Sequence, residues 1–200
     1  LAQRQGRTKN GYDMTEQGLL KMLDMSGEAD FQKNFEELNI IPMSISYEIE
    51  PCDILKAREI LMSRTQKYVK AEGEDFNSIM VGIMQQKGNV HLHIGKPLTS
   101  EEIAEAAKCD KNDRYQLIRH AVDVRVIQGY KLWPNNYIAY DILNATDKYS
   151  SNYTSEEKQK FVGYMEHQLG TVEPELNKDE LREVFLGIYA NPVVAKEDLA

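Results

Sequence analysis

The strongest constraint on what this chain can fold into is a change of sequence pattern near residue 98. Before that point two segments have strand character. Residues 40–48, IIPMSISYE, form a β-branched and aromatic run suited to a buried strand, with Pro42 near its start, where a missing N–H is tolerated. Val90, Leu92 and Ile94 alternate with His91 and His93, the spacing of a strand with its apolar row on a buried face. From Thr99 onward only helical spacing recurs. The pattern therefore predicts an α/β region over 1–98 and a helical region over 99–200, divided at Lys96-Pro97-Leu98-Thr99.

Local signals place the helices. Asp13 and Glu16 have capping-box spacing before Leu19, Leu20 and Leu23, predicting a helix over 13–23 with Gly27 as its stop. Asp53 is placed to cap a helix over 54–70, and FNSIMVGIMQ reads as another over 76–85. A helix between two strands predicts a βαβ-like unit. In the second region Thr99 with Glu102, Thr154 with Glu157, and Asn177 mark three helix starts. Leu117, Ala121 and Val124 mark the face of a further helix closed by Gly129.

Composition narrows the function classes. The 200 residues are 42% apolar, enough for a sizeable core. The longest apolar runs span only a few residues, far short of the roughly 20 that a membrane-spanning helix needs. Any membrane contact is then expected to be peripheral, at the inner membrane. A net charge of −8 argues against nonspecific nucleic-acid binding, which needs a clustered basic surface. Cys52 and Cys109 have no further Cys or His at ligand spacing, so the cysteines fit a reducing, cytoplasmic setting. The chain opens on Leu1 and Ala2 without signal-peptide features, and an upstream segment is expected to be missing.

One segment departs from the acidic background. LAQRQGRTKNG holds Arg4, Arg7 and Lys9 with no acid. A glycine beside basic residues suits a phosphate, because the glycine admits close backbone approach and an Arg makes bidentate contacts to oxyanions. The segment resembles the third conserved block of the PlsC-type glycerolipid acyltransferases, the lysophosphatidate acyltransferase family. That block reads roughly F-P-E-G-T-R-S-R-D-G, with a bacterial variant A-Q-R-E-G-R-A-K. Gln5, Gly6, Arg7, Lys9 and Gly11 lie on its positions when one Thr is deleted, with Gln5 where the family usually has Glu. The apolar, Pro-containing fourth block that follows some thirty residues later is matched by Ile40, Ile41, Pro42, Met43 and Ser44.

The resemblance implies the C-terminal part of a glycerolipid-acyltransferase-like α/β domain followed by an all-helical region. It implies fatty acyl transfer from acyl-CoA or acyl carrier protein to a hydroxyl of a glycerol-phosphate lipid, a lysolipid acceptor, with no cofactor. Arg7 would grip the acceptor phosphate, Gly6 would let the backbone approach, and Lys9 would add long-range attraction. The family's chemistry sits in an H-x-x-x-x-D motif. None of His91, His93, His120 and His167 has an Asp five positions on, so the catalytic pair is expected upstream and the isolated chain is expected to be inactive. The rival reading is a noncatalytic protein-interaction module whose helical half binds a partner.

Other residues read more simply. His91 and His93 share a strand face without a third metal ligand in sight, and are expected on an exposed face. His120 and Asp123 are spaced as a helical pair with no nucleophile attached by pattern. Trp133, Tyr137, Tyr140, Tyr149 and Tyr153 are expected to pack between helices.

Overall fold

Two strands form, and they pair antiparallel. In the computed structural model, which describes residues 9–28, 30–65 and 67–199, β1 (Met43–Tyr47) runs against β2 (Val90–Ile94) with Met43 opposite Ile94 and Tyr47 opposite Val90. The ladder continues beyond both ends: Leu98 N–H donates to Ile40 O at 3.0 Å, and Ile49 N–H donates to Lys87 O at 3.0 Å. Gly88, at φ +62°, and the Glu48 carboxylate, which accepts from Asn89 N–H at 2.8 Å, turn the returning chain into register.

Around this ribbon stand nine helices among the described residues, of which 60% are helical. The expected α/β acyltransferase domain is therefore corrected: the described residues are mostly helical, with a sheet of two strands among them. The two strand signals were real, but their partner could not be read locally. An antiparallel pair has replaced the crossover of a βαβ unit, although α3 (Asp53–Thr65) and α4 (Glu74–Met84) lie between the strands in sequence.

The remaining helices are α1 (Gln17–Met25), α2 (Phe31–Leu38), α5 (Ser100–Ala107), α6 (Asp113–Gln128), α7 (Pro134–Leu143), α8 (Ser155–Gly170) and α9 (Lys178–Glu197). Three of the expected caps form. Thr99 Oγ1 accepts from Glu102 N–H while the Glu102 carboxylate accepts from Thr99 N–H, and Thr154 with Glu157 repeats the arrangement. Asn177 Oδ1 accepts from the N–H groups of Asp179 and Glu180. Asp13 does not cap: α1 starts four residues later, and the Asp13 carboxylate accepts the Tyr130 hydroxyl proton at 2.6 Å.

Two apolar clusters hold the helices. One joins Ala57 and Leu61 of α3 to Ile138, Phe161, Met165, Leu181, Phe185 and Tyr189 of α7, α8 and α9. The other joins Leu20, Phe31 and Phe35 of α1 and α2 to Ile103, Tyr115, Ile118 and Val126 of α5 and α6. Each draws side chains from both sides of residue 98.

The sheet faces are the reverse of the sequence expectation. Ser44 is buried and the His91–His93 row packs inward, whereas Met43, Ile45, Val90, Leu92 and Ile94 are each at least half exposed. The cause is at the end of α6. A Cβ placed on Gly129 would stand 2.4 Å from His93 Cδ2 and 2.6 Å from Ser44 Oγ, so only a residue without a side chain lets the polar face approach.

Candidate functional site

A cavity of about 240 Å³ opens where the start of the described chain, β1 and the helical core meet. Gly11 and Asp13 reach it from the first segment, Ile45, Ser46 and Tyr47 from β1, Glu50 and Lys56 from the β1–α3 turn and α3. Tyr130, Lys131, Asn136, Tyr189 and Pro192 close the far side. Its size is below the 300–1,000 Å³ or so of pockets for drug-sized ligands, so it suits a small polar molecule or a headgroup.

Local sequence explains how these groups are presented. Pro192 lies inside α9 and supplies no N–H, which leaves the Ile188 carbonyl without its helical donor. Gly11, at φ +78°, settles there: a Cβ on it would be 2.4 Å from Ile188 O and 3.2 Å from Pro192 Cδ. Asn191 Nδ2 donates to Asn10 O at 2.6 Å and fixes the same segment to α9. Lys131 N–H donates to Ser46 Oγ at 3.0 Å, tying the loop after α6 to β1. Asn136 Nδ2 donates to the Tyr189 carbonyl at 2.8 Å, anchoring α7 to α9 at the cavity wall.

Beneath the floor lies a buried polar network. Asp53 is fully buried and its carboxylate accepts the hydroxyl protons of Tyr189 at 2.6 Å and Tyr164 at 2.8 Å. Tyr189 Oη accepts from Glu50 N–H at 3.0 Å, and Gln85 Nε2 donates to Tyr164 Oη at 3.0 Å. Gln85 Oε1 accepts from Cys52 N–H at 2.7 Å, holding the turn in which Cys52 takes φ +59°. Burial pushes the Asp53 carboxyl above its ordinary value, against the pull of its tyrosine donors. Burial also raises Glu50, with the ion pair to Lys56 opposing it. The Glu50 side chain keeps 29% of its surface accessible on the cavity side, so water moderates that shift. Tyr130 is raised by burial and then by Asp13, so it stays a proton donor at neutral pH.

The titratable lining is balanced: Asp13 and Glu50 against Lys56 and Lys131. Lys56 is committed to Glu50, and no histidine is among the lining residues. Cys52 is buried and its thiol donates to the Ser78 carbonyl at 3.2 Å. The described part of the site offers phenol, hydroxyl, amide and ammonium groups that can hydrogen-bond a ligand.

The residues expected from sequence fall unevenly. Gly6 and Arg7 lie outside the described residues. Lys9 forms an ion pair with Glu59 of α3, near the cavity but not among its lining residues. Asp123 turns away from catalysis, accepting Thr15 N–H at 2.8 Å, while His120 is exposed. His91 and His93 stack with centroids 6.5 Å apart, and among the described residues no group of three or more His, Cys, Asp or Glu is arranged to hold a metal. Tyr137 and Tyr140 each pack a ring against Tyr149 at 5.1 Å, half-buried between helices. Sequence reading missed Glu50, Lys56, Tyr130 and Tyr189. The Glu50-Pro51-Cys52-Asp53 turn carried the one available signal, a Pro and two carboxylates directly after a strand.

Among the described residues no helix is long and apolar enough to cross a membrane. No protein-family model matches the chain, and neither a curated protein nor a solved structure does.

Proposed function

We propose that the chain carries the acceptor side of a glycerolipid acyltransferase, holding the glycerol-phosphate end of a lysolipid while a His/Asp pair outside it performs the transfer from acyl-CoA or acyl carrier protein. The observation that supports this reading is that Gly11, the last residue of LAQRQGRTKNG, lines one cavity with Ile45, Ser46 and Tyr47, which continue the strand directly after the block matched over residues 40–44. Gly11 and that strand are some thirty residues apart in sequence. A small space lined by phenol, amide and hydroxyl groups together with Ile45, Ile188 and Pro192 fits a polyol joined to an apolar tail. By the resemblance the cation that meets the phosphate would be Arg7; among the described residues Lys56 and Lys9 are each paired to a carboxylate, and Lys131 also lines the cavity.

The test is kinetic. In the protein that joins this chain to its His/Asp motif, Arg7→Ala is expected to raise the acceptor KM tenfold or more, with the donor KM unchanged, as loss of one phosphate contact requires. Unchanged acceptor kinetics would remove Arg7 from the site. Acyl transfer by the 200-residue chain alone would contradict the placement of catalysis elsewhere.

A second reading is favoured by the outward apolar row of Met43, Ile45, Leu92 and Ile94: a noncatalytic module whose sheet packs on a partner protein. Absence of acyl transfer from the complete protein, together with a partner that covers this row, would select it.

A further inference from the structure

One edge of the sheet has no partner among the described residues. Gly95 N–H donates to Pro42 O and Glu48 N–H donates to Asn89 O, both at 2.9 Å. Hydrogen-bonded pairs alternate with non-bonded ones in an antiparallel ladder, so in this register Asn89, His91, His93 and Gly95 turn their backbone groups toward β1. Those of Val90, Leu92 and Ile94 point the other way, and among the described residues no hydrogen bond takes them up. The outer edge of β1 differs, because it borders the cavity that Ile45, Ser46 and Tyr47 line with Gly11 and Asp13. Free edges are ordinarily blunted by Lys, Pro or a bulge. β2, Val-His-Leu-His-Ile, has none of these, and Val90, Leu92 and Ile94 are 53%, 53% and 63% exposed.

We infer that this edge pairs with the same edge of a second copy of the chain, antiparallel and about a two-fold axis at Leu92, so that two ribbons make one sheet. A row of outward N–H and C=O groups at strand spacing calls for another strand, since a helix face or a lipid surface satisfies none of them. The sequence selects whose strand it is. A two-fold pairing needs a segment that matches itself when the chain direction is reversed. Val-His-Leu-His-Ile does so: Leu92 meets Leu92 of the second copy, Val90 meets its Ile94, and His91 meets its His93. The outward-pointing pairs, 90 with 94 and 92 with 92, then exchange both of their backbone hydrogen bonds. Facing side chains are alike in kind, β-branched and Leu on the apolar side and imidazole on the other, with no charge opposite a like charge. The ends fix the register. A slip of two residues would lay Gly88, at φ +62°, or Lys96 against the ladder. An isologous pair also uses up the free edge, so assembly stops at two copies. A two-stranded sheet is marginal by itself, and the pairing doubles it while joining the exposed rows of both copies into one apolar face.

The pairing uses the edge away from the cavity and does not depend on the acyl-transfer reading. A five-residue ladder is a small contact, so association is followed over a wide concentration range. In sedimentation equilibrium of the chain, the average mass is expected to climb from one copy toward two between roughly 10 μM and roughly 500 μM. Over the same range the amides of Val90, Leu92 and Ile94 should pass from rapid to slowed hydrogen exchange. Leu92→Pro removes an N–H that points away from β1, a change that an edge strand tolerates. Leu92→Lys sets two ammonium groups directly opposite each other. Each should weaken association by about tenfold or more while keeping the circular dichroism of the wild type. Met43→Lys, on the same apolar face but on β1, should leave association unchanged. A chain that stays monomeric throughout overturns the inference, as does a dimer that both Leu92 variants leave intact. A dimer that Met43→Lys also dissolves overturns it in favour of contact through the sheet face. A mass that climbs past two copies overturns it in favour of open-ended strand addition. Edge amides already slowed at the lowest concentration overturn it in favour of a segment of the same chain on β2.

Discussion

Gly11 lies over the gap that Pro192 makes in α9. The carbonyl of Ile188, deprived of a helical donor by the proline, sits where the Gly11 Cβ would be, and Gly11 adopts φ +78° to fit. A Gly11→Ala variant combines a left-handed backbone with a 2.4 Å clash against backbone, and is expected to lose about 2 kcal/mol or more of stability. Urea unfolding of the two chains measures this. A loss under about 0.5 kcal/mol, the range of ordinary surface substitutions, would mean that the first segment does not dock on α9.

The buried carboxylate of Asp53 gives stability a definite pH dependence. Its proton affinity is higher in the folded than in the unfolded chain because burial outweighs the donors from Tyr189 and Tyr164. Such a group stabilises the fold fully below its ordinary value of 3.8 and loses that contribution as pH rises through the folded value. Glu50 shifts in the same direction. The exposed carboxylates Glu102, Glu173 and Glu197 shift downward and act oppositely, losing their contribution as pH falls. Comparing wild type with Asp53→Asn isolates the first effect. The stability of the variant relative to wild type should rise with pH above about 4 and then level. A difference that stays constant, or falls, across that window would contradict a raised Asp53.

Lys56 is buried and its ammonium is held by Glu50. Lys56→Met keeps most of the side-chain volume but leaves Glu50 without its cation. The expected loss is about 1–3 kcal/mol at neutral pH, less than for a fully buried pair because Glu50 is partly wetted. Adding Glu50→Gln should recover most of it. A double variant as unstable as Lys56→Met would show that packing of the Lys56 stem, rather than the charge, carries the effect.

The sheet docks through an absence. Gly129→Ala puts a methyl into His93 and Ser44, and a loss of about 1–3 kcal/mol is expected, as for overpacking. Amide exchange should rise across β1 and β2 before it rises in α9. Uniform change in all elements would argue against a sheet that is held locally at Gly129.

These elements show what the sequence disclosed. The caps at Thr99, Thr154 and Asn177 are set within one helical turn, and all three form. The strands at Met43–Tyr47 and Val90–Ile94 were legible from their composition and alternation. Their antiparallel pairing was not, because it depends on Gly88 and Glu48 meeting Asn89 after an excursion through two helices. Which sheet face is buried was misread for a related reason: alternation names two faces, but the missing side chain of Gly129, on a distant helix, decides which one packs. At the cavity, Gly11 stood out as the closing glycine of a motif, while its contact with Pro192 is tertiary. Glu50, Lys56, Tyr130 and Tyr189 carry no local pattern that distinguishes them from solvated charges and core phenols. Asp13 looked like a cap and proved to be the acceptor for Tyr130.

The most direct measurement is a titration of the isotope-labelled chain with sn-glycerol 3-phosphate, followed through backbone amide resonances. If the first segment and β1 form one acceptor site, the perturbed amides are those of Gly11, Ser46, Tyr47 and Lys131, and Arg7→Ala abolishes the perturbations. Amides that remain unmoved at millimolar ligand, or that move only far from this cavity, would contradict it.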